Sequence, residues 1–389
     1  MTTPDKTDWR LVLLIWAAGL GAAAQYAKIS VIFEQLGGIY PDAGARLGFI
    51  VSLVGGVGIV LGVAAGVLVA WIGYRRALLW GLVAGAAVSA VQSVWPPLNL
   101  LLLTRLIEGV AHLALVVSGP TLIAQVAAER DRGLALTLWG SFFGVTYALL
   151  VWVGLPFANA WGEGALIGAH AVYMAAMALI LAPLLPRSAV TERAFDLSML
   201  ARAHLRLYGS ARIGAAAWGW LFYTICFLSL LTLIPPYIDE SQRAFVVGAM
   251  PLMSILSSLT LGVWLLRRIT AAQVVMLGFV LSAGTALALV GAPGQPTLAL
   301  LLGASLGLVQ GASFAAVAEL NAAPEDRALA NGGLAQMGNL GNTIGTPLML
   351  WVVTMAGYAG FMAAIALVLL LGAVVHILLS ARRRRAVTA

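Results

Sequence analysis

The chain has 389 residues, 61% of them apolar and 10% charged, with a net charge of +7 and a mean hydropathy of +0.98. A water-soluble domain carries about 25% charged residues, so this composition excludes a soluble globule and makes lipid the solvent. The basic residues are scattered over short loops and a tail, which excludes a nucleic-acid groove, and the single cysteine, Cys226, excludes an intrachain disulfide or a cysteine-based metal cluster.

Backbone in hydrocarbon must satisfy its own hydrogen bonds, which leaves helices or a closed barrel. Barrel strands last about ten residues and alternate in polarity. Here the apolar runs last about twenty residues, the length a helix needs to cross about 30 Å of hydrocarbon. The predicted class is an all-helical membrane protein with twelve transmembrane helices. Helix 1 is expected over Leu11–Phe33, helix 2 over Leu47–Ile72 and helix 3 over Ala77–Val94. Pro96 and Pro97 force the turn into helix 4, Leu98–Val126. Helix 5 follows over Gly133–Leu155 and helix 6 over Ala165–Leu185, then a polar stretch, then helix 7 over Ile213–Ile234, ended by Pro235 and Pro236. Helices 8 to 12 are expected over Phe245–Leu266, Ala271–Gly291, Thr297–Leu320, Leu329–Met355 and Ala359–Ser380. Arg10, the run from Leu11 and Ala22-Ala23-Ala24 imitate a signal peptide. The run continues to Phe33, however, and cleavage would leave the first half one helix short of the second.

The halves repeat each other. Asp131-Arg132-Gly133-Leu134-Ala135 returns 195 residues later as Asp326-Arg327-Ala328-Leu329-Ala330, and the phrase from Met174 to Leu181 returns from Met362 to Leu369. Two pseudo-symmetric six-helix bundles are expected, 1–185 and 213–389, the second with a basic tail, joined by a linker, 186–212. Setting aside Lys28 and Arg105 inside spans, 18 of the other 20 basic residues fall on one side of this drawing. By the positive-inside rule both termini and the linker are cytoplasmic, in a cell inner membrane. Leu197, Leu200, Ala201, His204, Leu205 and Tyr208 have roughly helical spacing, with Arg202, Arg206 and Arg212 among them. They predict a short amphipathic helix on the inner surface; the alternative is a loose loop.

The segment Gly66-Val67-Leu68-Val69-Ala70-Trp71-Ile72-Gly73-Tyr74-Arg75-Arg76 resembles the signature loop of the major facilitator superfamily, G-x-L-a-D-r-x-G-r-R/K. Gly66, Leu68, Gly73 and Arg75 match; Ala70 replaces the usual acid and Trp71 the usual base. The resemblance implies a gating loop that latches the halves on the cytoplasmic side, and the missing acid removes one element of that latch. Gly262-Val263-Trp264-Leu265-Leu266-Arg267-Arg268 is the faint second copy. Arg105-Leu106-Ile107-Glu108-Gly109 resembles the superfamily's R-x-x-q-G motif, whose arginine has been linked to proton coupling. The second half echoes it as Gly307-Leu308-Val309-Gln310-Gly311. Gly140 to Gly144 departs from the glycine-proline pattern of proton antiporters.

Ionisable groups inside spans need a reason, since one left unpaired at the bilayer centre costs about 3 kcal/mol. Two readings fit Lys28: a cation meeting an anionic solute in the cavity, with Gln25 on the same face, or a lysine snorkelling to the outer interface beside Glu34. Arg105, Glu108, Gly109 and His112 form one stripe of helix 4. Either Glu108 carries a proton with Arg105 tuning it and His112 as relay, or the pair is structural. Helix 11 presents Gln336, Asn339, Thr343 and Thr346, as cavity wall or as glue between helices. Tyr147 in helix 5 and Tyr223 in helix 7, as packing or as site, and Gln310 in helix 10 complete the candidate substrate-binding set. Glu319 is expected to face the Asp326–Arg327 loop. No hydrolytic triad, phosphate loop or metal-ligand cluster is present in the sequence, so no catalytic activity and no cofactor are expected.

The reading is a monomeric secondary active transporter that moves a small organic solute, expected to be anionic, by alternating access coupled to protons. Its partners are the solute, protons and the lipid bilayer. The alternatives are a drug or metabolite efflux pump of the same fold, or a non-transporting sensor or assembly factor, which the substitution at Ala70 keeps open.

Overall fold

A computed structural model describes residues 5–186 and 197–388; the part of the expected linker at 187–196 lies outside the described residues. The described residues are overwhelmingly helical and include no strand. Among the described residues ten helices are long and apolar enough to cross a membrane, or eleven if Ala65–Ile72 and Tyr74–Gln92, bent by 100°, count as one broken span. The last of the ten has 61 residues. At 1.5 Å per residue it would run about 90 Å, three times the hydrocarbon thickness, and Gly357 (φ 64°, ψ −164°) divides it.

Helix 1 is Trp9–Ser30, begun by the Asp8 carboxylate, which accepts from the Leu11 amide at 3.0 Å. Such a cap satisfies a donor that the first turn leaves open. Helix 3 is Tyr74–Gln92, helix 4 Leu98–Val126 and helix 6 Glu163–Leu184. Helix 9, Ala271–Gly291, starts at a capping box in which Thr270 and Gln273 satisfy each other's backbone. Helix 7 is Ala215–Leu233 and helix 10 Pro296–Leu320. Helices 11 and 12 lie before and after Gly357 within Pro324–Thr388.

Three expected helices are not regular. Helix 2 runs as Leu47–Ser52, a 3-10 turn at Leu53–Gly55, Gly56–Leu61 and Ala65–Ile72. Its glycines each weaken a helix relative to alanine. Helix 5 covers Glu129–Gly140, Phe142–Leu149, a π turn at Leu150–Gly154 and Leu155–Trp161. The π turn ends two residues before Pro156, which has no amide hydrogen to donate back into that turn and whose ring crowds it. Helix 8 widens likewise, from Glu240–Ser257 into a π turn at Ser258–Gly262 and then Val263–Leu266.

Backbone contacts divide the chain into two units. One is Met1–Gly44 with Ala64–Phe195, the other Ala45–Val63 with Asp196–Ala389. The division therefore departs from chain order at the first part of helix 2, which sits with the second unit. Inside the first unit, Ile15 and Ala22 of helix 1, Leu82 of helix 3, Leu115 of helix 4, Trp139 of helix 5 and Met174 of helix 6 share one buried apolar core.

In the second unit, helix 11 is gripped on two faces. A Cβ on Gly341 would lie 2.7 Å from the Leu221 carbonyl, and one on Gly345 2.5 Å from that of Ile225, both on helix 7. On the other face a Cβ on Gly48 would lie 2.7 Å from Cα of Pro347. Small residues allow this backbone approach, which lipid-embedded helices use in place of a hydrophobic driving force.

The expected amphipathic helix forms as Leu197–Gly209. Leu207 is fully buried in a cluster with Ile213, Ala216, Val317, Ala330 and Leu334. The linker helix is thus docked in the second unit's core. Arg206 reaches Asp326 at 2.5 Å. In the first unit the equivalent aspartate, Asp131, accepts from Thr7 at 2.6 Å. Each copy of the repeated phrase fastens the segment that leads into the first helix of its half.

Gly48→Ala is expected to lower stability by about 1–3 kcal/mol through overpacking against Pro347, despite alanine's better helix propensity. A thermal-melting comparison in detergent checks this, and an equal or higher melting temperature would refute the contact.

Candidate functional site

The first unit contains a cluster of charged and polar side chains with no solvent exposure. Lys28 of helix 1, Ser89 and Gln92 of helix 3, and Arg105 and Glu108 of helix 4 are each 0% exposed; His112 of helix 4 and His170 of helix 6 are buried beside them. Helical spacing places Arg105 and Glu108 one turn apart, so they meet on one face. Lys28 comes to Glu108 across 80 residues of sequence because helix 1 packs against helix 4.

Glu108 is at the centre. Its Oε1 accepts from Lys28 Nζ at 2.6 Å. Its Oε2 accepts from Gln92 Nε2 at 2.8 Å and from Arg105 Nη1. Arg105 Nη2 also donates to the Gln25 carbonyl at 2.7 Å. Lys28 Nζ donates to Ser89 Oγ at 2.6 Å and lies 3.3 Å from His170 Nδ1. His112 Nδ1 lies 3.1 Å from both the Ala22 carbonyl and Gln25 Oε1. Both partners are acceptors, so this nitrogen carries the hydrogen.

Of the two readings of Lys28, the snorkelling one is overturned. The side chain is fully buried and ion-paired, because a carboxylate deep in the bundle offers the ammonium more than a route past Glu34 to the interface would. The cavity reading also changes, since Glu108 already occupies the ammonium. His112 sits against Gln25 and the Tyr26 ring, with centroids 5.1 Å apart, and has no direct bond to Glu108. Tyr147 is buried and lies tilted against Phe143 at 5.3 Å, which in turn meets Tyr26 at 6.1 Å.

The second unit holds the remaining candidates in a different chemistry. Tyr223 stacks between Trp220 at 4.6 Å and Phe227 at 5.2 Å, and Trp220 meets Phe314 of helix 10 at 5.1 Å. Gln310, which echoes Glu108, accepts from Ser254 of helix 8 at 3.0 Å. Gln336 is spent on structure: its Nε2 donates to the Ile59 carbonyl at 2.6 Å and its Oε1 accepts from Tyr208 of the linker helix at 2.5 Å. The same Nε2 lies 3.1 Å from His204 Nε2. Burial raises the Tyr208 phenol to about 12, so it stays a donor to Gln336. Asn339 donates to its own helix at Ala335 O, 2.8 Å.

The signature-loop residues serve the first unit. Gly73 has φ 93°, a conformation that favours glycine, and makes the sharp turn from helix 2 to helix 3. Arg75 donates to the Ala182 carbonyl at 2.7 Å, near the C-terminal end of helix 6. Gly66 is exposed, and a Cβ there would touch nothing. Glu319 does not reach the Asp326–Arg327 loop as expected. Its carboxylate instead accepts from the Ala271 amide at 2.7 Å, capping helix 9.

His170, Ser89 and Gln92 escaped sequence reasoning. His170 had a signal, because it is an ionisable residue well inside an expected span, the criterion that singled out Lys28. His376 of helix 12 meets the same criterion and is 0% exposed. Ser89 and Gln92 carry no such mark. Among the described residues no group of His, Cys, Asp and Glu is arranged to hold a metal.

Compared with known proteins, residues 11–320 match the family model described as Major Facilitator Superfamily. No curated protein matches the chain.

Removing the Glu108 charge would strand two buried cations. Glu108→Gln is therefore expected to cost about 3–5 kcal/mol, read as a lower melting temperature of the purified protein. Unchanged melting would show that the pair does not hold the first unit together.

Proposed function

The chain belongs to the major facilitator superfamily, and on that premise we propose that it is a secondary active transporter of a small organic solute, driven by protons through alternating access. Membership itself makes it a multi-pass membrane transporter protein. The proposal adds the mechanism, the coupling ion and the topology: twelve spans in two six-helix bundles, in an inner membrane with both termini cytoplasmic, working as a monomer.

The observation that carries the proposal is the Lys28–Glu108–Arg105 cluster. Burying three charges in the interior of a membrane bundle costs several kcal/mol per ion even when they are paired. A purely structural clamp is achieved more cheaply by apolar packing. An exchangeable proton is a use for which apolar residues cannot substitute.

The preference for an anionic solute rests on two basic groups, Lys28 and Arg105, against one deep acid, Glu108. With Lys28 held by Glu108 at 2.6 Å, recognition moves in this proposal to the aromatic ladder of Trp220, Tyr223 and Phe227 with the amide of Gln310. That ladder favours the second reading of the solute, an amphipathic molecule with a flat apolar face. The role of Arg75 follows the same premise: bound to helix 6, it steadies the loop that the superfamily uses for gating.

The test is reconstitution into proteoliposomes under an imposed pH gradient, with a panel of organic acids, sugars, amines and aromatic dyes. Accumulation of one class that collapses with a protonophore is expected. Transport that ignores the pH gradient would remove proton coupling, and failure to move any member of the panel while the fold is intact would favour the non-transporting reading.

A further inference from the structure

Two cations share one carboxylate where no solvent reaches. Glu108 gives one oxygen to Lys28 and the other to Arg105 and Gln92, so its single negative charge leaves the trio with one positive charge in excess. Such an excess is costly in a bundle interior and is removed by the loss of one proton. Arg105 cannot supply that proton, because a guanidinium stays protonated in proteins. A lysine ammonium can.

The surroundings of Lys28 fit that task. Its three N–H groups face three acceptors: Glu108 Oε1 at 2.6 Å, Ser89 Oγ at 2.6 Å and His170 Nδ1 at 3.3 Å. His170 Nε2 lies 3.0 Å from the Gly21 carbonyl. A carbonyl only accepts, so Nε2 carries the hydrogen and Nδ1 turns its lone pair toward Lys28 and Ser89. Ser89 Oγ is 2.8 Å from that Nδ1, so the hydroxyl accepts from Lys28 and donates to His170. Lys28, Ser89 and His170 are all buried, and the imidazole ends the line of side chains that starts at Lys28.

The other titratable or charged groups around Lys28 are accounted for. Helix 4 contributes Arg105, Glu108 and His112, helix 5 contributes Tyr147, helix 6 contributes His170, and helix 1 itself contributes Tyr26; helix 3 offers only the neutral Ser89 and Gln92. The Nδ1 proton of His112 is committed to the oxygens of Ala22 and Gln25.

We propose that Lys28 is the member of this cluster that gives up and regains a proton, with Ser89 and His170 as its relay, while Glu108 and Arg105 remain a fixed ion pair. In the step, one N–H bond of the Lys28 ammonium breaks and its proton passes to Ser89 Oγ. The hydroxyl proton of Ser89 passes to His170 Nδ1. Lys28 becomes a neutral amine and His170 an imidazolium, with no change of oxidation state. The imidazolium then loses its other proton, from Nε2, to water, which leaves His170 neutral with its hydrogen on Nδ1 and the cluster electrically balanced; the reverse sequence reloads it. The proposal rests on proton-driven transport, and it moves the proton from Glu108, the carrier expected from the helix 4 stripe, to Lys28 of helix 1.

The sequence makes the test direct, because its only lysines are Lys6 and Lys28. Lys6 lies in the exposed segment before helix 1, so Lys6→Arg leaves Lys28 as the sole lysine without touching the cluster. In that variant, labelled with lysine bearing 15N at Nζ, nitrogen NMR reads Lys28 alone. The expected result is a resonance that interconverts between ammonium and amine as the pH is varied while the fold persists, with no protonated-carboxyl infrared band assignable to Glu108. Ser89→Ala is expected to slow the interconversion and change the line width. A resonance fixed at the ammonium position throughout overturns the proposal, as does a carboxyl band that disappears in Glu108→Gln. An unchanged line width in Ser89→Ala overturns the relay. Proton-driven transport fails separately, if the parent protein moves solute without regard to a pH gradient even though Lys28 interconverts.

Discussion

The ion pair between Lys28 and Glu108 is the constraint around which the first unit is organised. Two unit charges about 4 Å apart attract by about 4 kcal/mol at an effective dielectric of about 20, while desolvation costs several kcal/mol for each ion. The pair alone therefore comes close to cancelling. Hydrogen bonds to charged groups contribute about 1.5–3 kcal/mol each, and Ser89, Gln92 and the Gln25 carbonyl supply them. These partners come from helices 1, 3 and 4, and His170 adds helix 6. Displacing any one of those helices leaves a buried charge short of a partner. That is a steeper penalty than an apolar contact imposes, and it fixes register as well as proximity.

The second unit is built on the opposite principle. Helix 11 is held by backbone approach at Gly341, Gly345 and Gly48, and its side chains Asn339, Thr343 and Gln336 bond within the helix or to helix 2 and the linker helix. Its aromatic ladder on helix 7 and the neutral Gln310 stand where the first unit has charge. The position that is glutamate in one half and glutamine in the other marks the divergence. Glu108 gathers two cations, and Gln310 gathers one serine hydroxyl.

Much of the fold was legible in the sequence where local chemistry decides it. Helix 4 begins after Pro96-Pro97 and helix 9 begins at the Thr270 box, and both occupy the expected residues. Helix 2 was read as one span and is broken, because hydropathy registers its apolar character and not the weakness of its glycines. Of the site, the Arg105–Glu108 stripe was legible because its spacing is helical. The partner of Lys28 was not, because Glu108 is 80 residues away and no periodicity connects them. Gln336 illustrates the same limit: its acceptor is the carbonyl of Ile59, 277 residues earlier, and backbone oxygens leave no trace in side-chain patterns.

The paired clasps bear on ancestry. Asp131 holding Thr7 and Asp326 holding Arg206 are 195 residues apart, and so are Gly162 and Gly357, both at positive φ in the turns before helices 6 and 12. A turn glycine and a clasping aspartate that recur at one offset are the pattern that doubling of a half-sized chain leaves behind. The charge cluster occurs in one copy only. What the two copies share is therefore scaffold, and what sets them apart is charge.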